Sequence, residues 1–314
     1  MIERLHRRSF LLLGTAAGLS AGAGRPQSLI SLVGYNDMAE MLRALSAAFM
    51  KRHPGIRVTA DLPGTRFGPA ALADGRASLA PMGARFTPEQ RAAFFAATGS
   101  EPAGFRVAHA SLSSKALSGP NALFVNRSNS LKEIDLALAA RLFTTPGPHR
   151  WSEVGLAGAF AQQAIVVTGL SPATPLALEF REAAFPSRDF ASGFVGFGQS
   201  RDVIALIGRE PAALGFAALN RGNDEVRALA IRRGPTSPAV FPDTHTLRAG
   251  SYVLDRHLWI YARQSRDRRL EPLARAYLAF VLSREGQAII GSGSLGYLPL
   301  GERERKAELA RLSR

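Results

Sequence analysis

The sequence predicts an α/β protein of two lobes, each a mainly parallel sheet flanked by helices. Three observations predict it. Short apolar runs of strand length alternate with longer runs at helical spacing, the pattern of strands joined by helical crossovers. A chain of 314 residues suits two domains better than one. Several strand-to-helix joints, at 34–37, 64–68, 83–85, 169–174 and 199–200, are rich in Gly, Ser, Thr, Asn and Arg. In open α/β sheets ligands lie at that end of the strands, where helix N-termini leave amide N–H groups without partners. Five such turns describe a ligand cleft; one alone would mean little.

The elements follow in order. Residues 28–33 read as a short buried strand ending at Gly34. Apolar positions 38, 41, 42, 45 and 49 share one helical face, and His53-Pro-Gly55 stops that helix. A strand at 56–60, a turn at 64–68 with a short helix to Ala73, and a strand at 78–82 come next. Thr87-Pro88-Glu89-Gln90 reads as a capping box with Pro in the first turn. Strands are expected at 105–111 and 121–125, and Ser130-Leu-Lys-Glu133 reads as a second capping box opening a helix to Phe143. A strand at 163–168 leads to a helix from Thr174-Pro175 to Ala184, and Ser200 caps a helix to Gly208. Strands follow at 213–219 and 226–231, then a long strand at 251–262, a helix at 270–283 and another from Arg284. The charged segment 301–314 is expected to fray.

Composition narrows the function classes. Apolar residues at 46% and charged residues at 20% describe a packed globular chain. The absence of cysteine excludes disulfides, thiolate metal sites and cysteine nucleophiles. The net charge of +14 comes almost wholly from Arg, since Lys occurs only at 51, 115, 132 and 306. The densest basic stretch, Arg263 to Arg269, has no interleaved aromatic residue and reads as a solvated loop, so no nucleic acid is expected as a partner. Near the start, Arg7-Arg8-Ser-Phe10 precedes an apolar run and the small residues Ala21-Gly-Ala23. That layout reads as an export signal of the twin-arginine type over 1–26, which implies a periplasmic protein. The six histidines are scattered, with no pair at metal-ligand spacing on one element, and no nucleophile elbow, HExxH or Walker loop occurs. Neither an enzyme, a metal site nor a cofactor is expected.

The sharpest motifs lie in the C-terminal third: Ala249-Gly-Ser-Tyr-Val-Leu254, Leu258-Trp-Ile-Tyr261, Tyr277-Leu-Ala-Phe-Val-Leu-Ser283-Arg-Glu-Gly-Gln287 and Gly296-Tyr-Leu-Pro-Leu300. Glu210-Pro-Ala-Ala-Leu-Gly-Phe216, Ala80-Pro-Met-Gly83 and the Trp-containing loop at Arg150-Trp151 add to them. Over about 27–300 the chain thereby resembles the substrate-binding proteins of phosphate ABC transporters. The resemblance implies a two-lobed periplasmic-binding-protein fold, type II-like, with a hinge between lobes. It places lobe one at 27–125 and 243–302, lobe two at 126–242, and a charged tail at 303–314. It implies a monomer that captures a small anion, phosphate or a relative, for a membrane ABC permease.

Carried over by position, the ligand-binding candidates are Tyr35, Asn36, Asp37, Thr65, Arg66, Gly83, Arg85, Ser171, Thr174 and Ser200. Each belongs to one of the five turns. Asn36, Asp37, Thr174 and Ser200 read equally as helix caps, and Arg66 and Arg85 equally as surface arginines. The sequence also departs from the family pattern. Leu170 stands where the family has Arg, and Thr174-Pro175-Leu176 stands for Ser-Gly-Thr. A buried dianion needs charge-assisted donors, so Arg66 and Arg85 are the candidates to replace the missing charge. The alternative reading is a sensing or binding module of the same fold, with a degraded phosphate site and a different ligand or none. A third is an electrostatic binder of acidic polymers.

Overall fold

The computed structural model describes residues 28–313; the export signal expected over 1–26 lies outside the described residues. The chain first builds β1 (Ser28–Val33), α1 (Ala39–Arg52), β2 (Ile56–Asp61), α2 (Gly68–Ala73), β3 (Leu79–Met82), α3 (Pro88–Thr98) and β4 (Ala103–Ser111). It then builds β5 (Asn121–Asn126), β6 (Glu133–Asp135), α4 (Leu136–Thr144), β7 (Val166–Leu170), α5 (Pro175–Ala184), β8 (Val195–Phe197), α6 (Ser200–Arg209), β9 (Ala213–Ala218), β10 (Val226–Ala228), β11 (Ala230–Arg232) and α7 (Thr244–Arg248). The last segment is β12 (His257–Ala262), α8 (Pro272–Val281), α9 (Arg284–Gly291), β13 (Tyr297–Leu298) and α10 (Glu302–Leu312).

Two large sheets result, ordered β13-β4-β12-β3-β1-β2 and β10-β5-β9-β7-β8. In the first, β1 runs parallel to β2 and β3, and the returning β12 lies antiparallel between β3 and β4. In the second, β7 is parallel to β8 and β9, and β5 is antiparallel to β9 and β10. Each sheet has its own core, which makes the protein a two-lobed α/β fold. One core holds Ile30, Leu42, Phe49, Ala116, Leu258 and Tyr277; the other holds Ala122, Phe143, Trp151, Phe180, Phe216, Tyr252 and Leu254. The chain therefore crosses between cores twice, once between Ala116 and Ala122 and once between Leu254 and Leu258.

Local chemistry accounts for most elements. The helical face at 38, 41, 42, 45 and 49 is buried as its spacing requires. The Thr87–Gln90 capping box forms, and Gly99 ends α3 with φ at 70°, a left-handed conformation that favours glycine.

Four expectations are corrected. The Ser130 capping box does not form: residues 133–135 pair with β11, and Asp135 caps α4 by accepting from the Ala137 and Leu138 amides. The run 226–231 breaks at Leu229 into strands of two different sheets. The strand expected at 251–262 is regular only from His257, because Tyr252 and Leu254 bury in one core and Leu258 and Ile260 in the other. The segment expected to fray is helix α10. Its Glu308 is buried and accepts from Arg106 Nε at 2.6 Å and Arg311 Nη1 at 2.5 Å, and Leu312 packs into the first core. Among the described residues no helix is long and apolar enough to cross a membrane.

Candidate functional site

A cavity of about 240 Å³ lies where the turns of both lobes meet. Lobe one contributes the turns after β1, β2 and β3. Glycine is obligatory at Gly34, because an added Cβ would sit 2.1 Å from the Pro81 carbonyl oxygen. That close approach lets the Tyr35 amide donate to Pro81 O at 2.8 Å and turns the Tyr35 ring into the cavity. The ring lies across Gly83, whose added Cβ would fall 2.6 Å from Tyr35 Cε1. Its hydroxyl reaches Ser118 Oγ at 2.9 Å on the first crossing loop. Burial raises the Tyr35 hydroxyl pKa, with the Ser118 bond working against it, so the group stays a neutral donor at physiological pH. Thr65 closes this side by accepting the Gly83 amide at 3.2 Å.

Lobe two contributes the ends of β7 and β8 and the starts of α5 and α6. Thr174 caps α5: its Oγ1 accepts from the Ala177 amide at 3.2 Å and donates to the Ser171 carbonyl at 2.8 Å. Pro175 has no N–H, so Leu176 carries the first amide of α5 that faces outward without a partner in the helix. Gln199 caps α6 through its backbone, and Ser200 Oγ accepts from the Ala218 amide at 3.2 Å. Two helix N-termini thus converge on one cavity, a disposition that favours an anion. The remaining lobe-two wall is apolar: Leu170 and Leu176 line it.

The cation of this site comes from a residue outside the candidates. Arg256, on the second crossing, is 7% exposed and lines the cavity. Its Nε donates to Glu179 Oε2 of α5 at 2.6 Å, its Nη2 to Gly83 O at 2.7 Å and its Nη1 to Gly119 O at 3.2 Å. One guanidinium therefore touches both lobes and the first crossing loop. Reading 251–262 as one strand hid it; the legible signal was a charged Asp255-Arg256-His257 inside an otherwise apolar run. Ser118 and Gln199 were missed as well.

Of the ten candidates, the fold brings Tyr35, Thr65, Gly83, Thr174 and Ser200 together. The other five lie outside the cavity lining. Asn36 is exposed. Asp37 points behind the wall, where it accepts from the Leu117 amide at 2.8 Å and from the Tyr297 hydroxyl; it braces the loop that presents Ser118. Arg66 is exposed and lies over the Phe67 ring at 4.7 Å, facing a different depression beside α2 and α3. Arg85 reaches across to lobe two, where its Nη1 donates to Glu182 Oε2 at 2.8 Å. Ser171 has its amide and carbonyl occupied by Phe197 and Thr174. Neither Arg66 nor Arg85 supplies the charge that Leu170 removes.

A second interlobe cavity, of about 260 Å³, lies on the far side of Arg256. It is strongly polar, and Asp255, His257 and Glu304 line it.

The chain is 23% identical over 278 residues to the phosphate-binding protein PstS of Pseudomonas aeruginosa, an alignment that covers 86% of this chain and 83% of that protein. The fold is similar to an ABC-type phosphate transport receptor from Vibrio cholerae, with a TM-score of 0.57 at 17% identity over 86% of this chain and 99% of that one. It is similar also to PstS from Borrelia burgdorferi, with a TM-score of 0.56 at 15% identity over 87% and 99%. No family model matches the chain.

Proposed function

We propose that the chain, similar to the phosphate-binding protein PstS and to an ABC-type phosphate transport receptor, is an exported, non-enzymatic receptor of that kind. It captures a small oxyanion, phosphate or a relative, between its lobes and delivers it to a membrane permease. The observation that carries this reading is the convergence of the α5 and α6 N-termini with Arg256 on one cavity. Helix amides and a guanidinium are the donors that a desolvated oxyanion needs. The hydroxyls of Tyr35 and Ser118 stand on the same wall and are hydrogen-bonded mainly to one another, so one of their protons can turn to a guest.

The site is weaker in positive charge than its relatives' pattern implies. Arg256 is the one cation in the lining, and Glu179 already neutralises it. This balance supports a singly charged oxyanion over a dianion. Calorimetric titration with phosphate, arsenate, sulfate and carboxylates across neutral pH tests the reading. Saturable one-to-one binding of an oxyanion is expected, with stability rising by about 2.7 kcal/mol at a hundred times Kd. Tyr35→Phe and Ser118→Ala should each weaken binding by roughly 0.5–1.5 kcal/mol, and Arg256→Lys by more. No heat and no thermal shift with any of these anions would end the proposal.

A further inference from the structure

Two of the scattered histidines meet in space. His109 on β4 and His257 on β12 are register partners across an antiparallel pair, so their side chains leave the same face of the sheet side by side. Their ring centroids are 4.7 Å apart. Helix α10 covers that face and brings down Glu304, and the crossing segment supplies Asp255. His109 is fully buried; its Nδ1 lies 2.6 Å from Asp255 Oδ2 and its Nε2 2.9 Å from Glu304 Oε2. His257 Nε2 lies 3.5 Å from Glu304 Oε1 and 3.9 Å from Asp255 Oδ2. Both Nε2 atoms are buried, and neither has a hydrogen bond of usable direction among the described residues.

We propose that His109, His257 and Asp255, with Glu304 at the edge, form a binding site for a divalent transition-metal cation of the zinc class. Ligands about 2.1 Å from a tetrahedral metal lie about 3.4 Å from one another, and His257 Nε2 lies 3.9 Å from Asp255 Oδ2. One donor atom from each of His109, Asp255 and His257 falls within 4.8 Å of the others. Charge agrees. Asp255, Glu304 and Glu308 carry three negative charges against two guanidinium groups, Arg106, which bonds Glu304 at 3.3 Å and Glu308 at 2.6 Å, and Arg311, which bonds Glu308 at 2.5 Å. With neutral imidazoles one net negative charge remains, which favours a cation. Two imidazoles beside carboxylates select zinc-like ions over magnesium or calcium, which prefer oxygen ligands alone. The 260 Å³ cavity lined by Asp255, His257 and Glu304 gives an entry path. The site goes beyond oxyanion capture and does not depend on it.

The test is calorimetric titration of chelator-treated protein with zinc chloride, with bound metal counted by mass spectrometry. One equivalent is expected, unaffected by a hundredfold excess of magnesium. His257→Ala and Glu304→Gln, each checked for native circular dichroism, should weaken zinc at least tenfold. His257 is partly accessible, which spares the fully buried His109 from substitution. Absence of saturable binding, displacement of zinc by magnesium, or affinity unchanged in both variants would overturn the proposal. In the last case zinc would be held elsewhere, with His53, His149 and His245 as the remaining imidazoles among the described residues.

Discussion

At the scale of single residues, the cleft shows a fit between two turns, with Tyr35 after β1 and Gly83 after β3. The Tyr35 ring occupies the volume that a side chain at 83 would need. Its hydroxyl is thereby carried to the far end of the ring, next to Ser118. Gly83→Ala should therefore destabilise the protein by about 1–3 kcal/mol through overpacking. The same substitution in a Tyr35→Ala background should cost less, with a coupling of at least about 0.5 kcal/mol. Urea denaturation of the two single variants and the double variant measures it, and strict additivity would show that the ring and Gly83 are independent. No reading of a single position reveals this pair, because the fit exists only once the fold places one residue on the other.

At the scale of elements, what was legible depended on whether the deciding interaction was local. The α3 cap and the buried face of α1 are decided within a few residues, and both formed as the sequence predicts. The start of α4 was misplaced because two acceptors compete there. Ser130 has the capping-box spacing, but residues 133–135 are drawn into a ladder with β11, which moves the helix start to Asp135. Asp135→Ala should therefore cost about 1 kcal/mol, while Ser130→Ala should stay within about 0.5 kcal/mol, both by chemical denaturation. Equal effects would restore the earlier start. Helix α10 misled for the opposite reason. Its charges look solvated, but Glu302 pairs with Arg305 three residues on, and Glu308 pairs with Arg106 from β4. Since Glu308 is buried between two guanidinium groups, Glu308→Ala should destabilise by about 3 kcal/mol or more, far beyond the loss expected of a frayed tail. The crossing at 252–258 was illegible in principle, since apolar periodicity marks a residue as buried without saying in which core it is buried.

At the scale of the whole molecule, the two lobes are drawn together by ion pairs of unequal weight. Arg85–Glu182 is about half exposed on both sides, at 54% and 51%, and pairs of that kind contribute at most about 1 kcal/mol. Arg256–Glu179 is almost buried, at 7% and 12%, and its guanidinium also holds Gly83 and Gly119. Closure of the ligand-free protein should therefore rest on Glu179 rather than Glu182. Small-angle scattering distinguishes them. Glu179→Gln, which keeps the shape of the side chain and removes its charge, should raise the radius of gyration of the ligand-free protein, and Glu182→Gln should leave it unchanged. The same substitution should have a second consequence, because Glu179 holds the one guanidinium that an oxyanion would use. A carboxylate removed from beside a bound anion lowers repulsion, so Glu179→Gln should bind a given oxyanion more tightly once closed, and saturating anion should return its radius to the wild-type value. If Glu182→Gln opened the lobes as far as Glu179→Gln, the exposed pair would be the latch, and Arg256 would be a wall of the cleft without being what holds it shut.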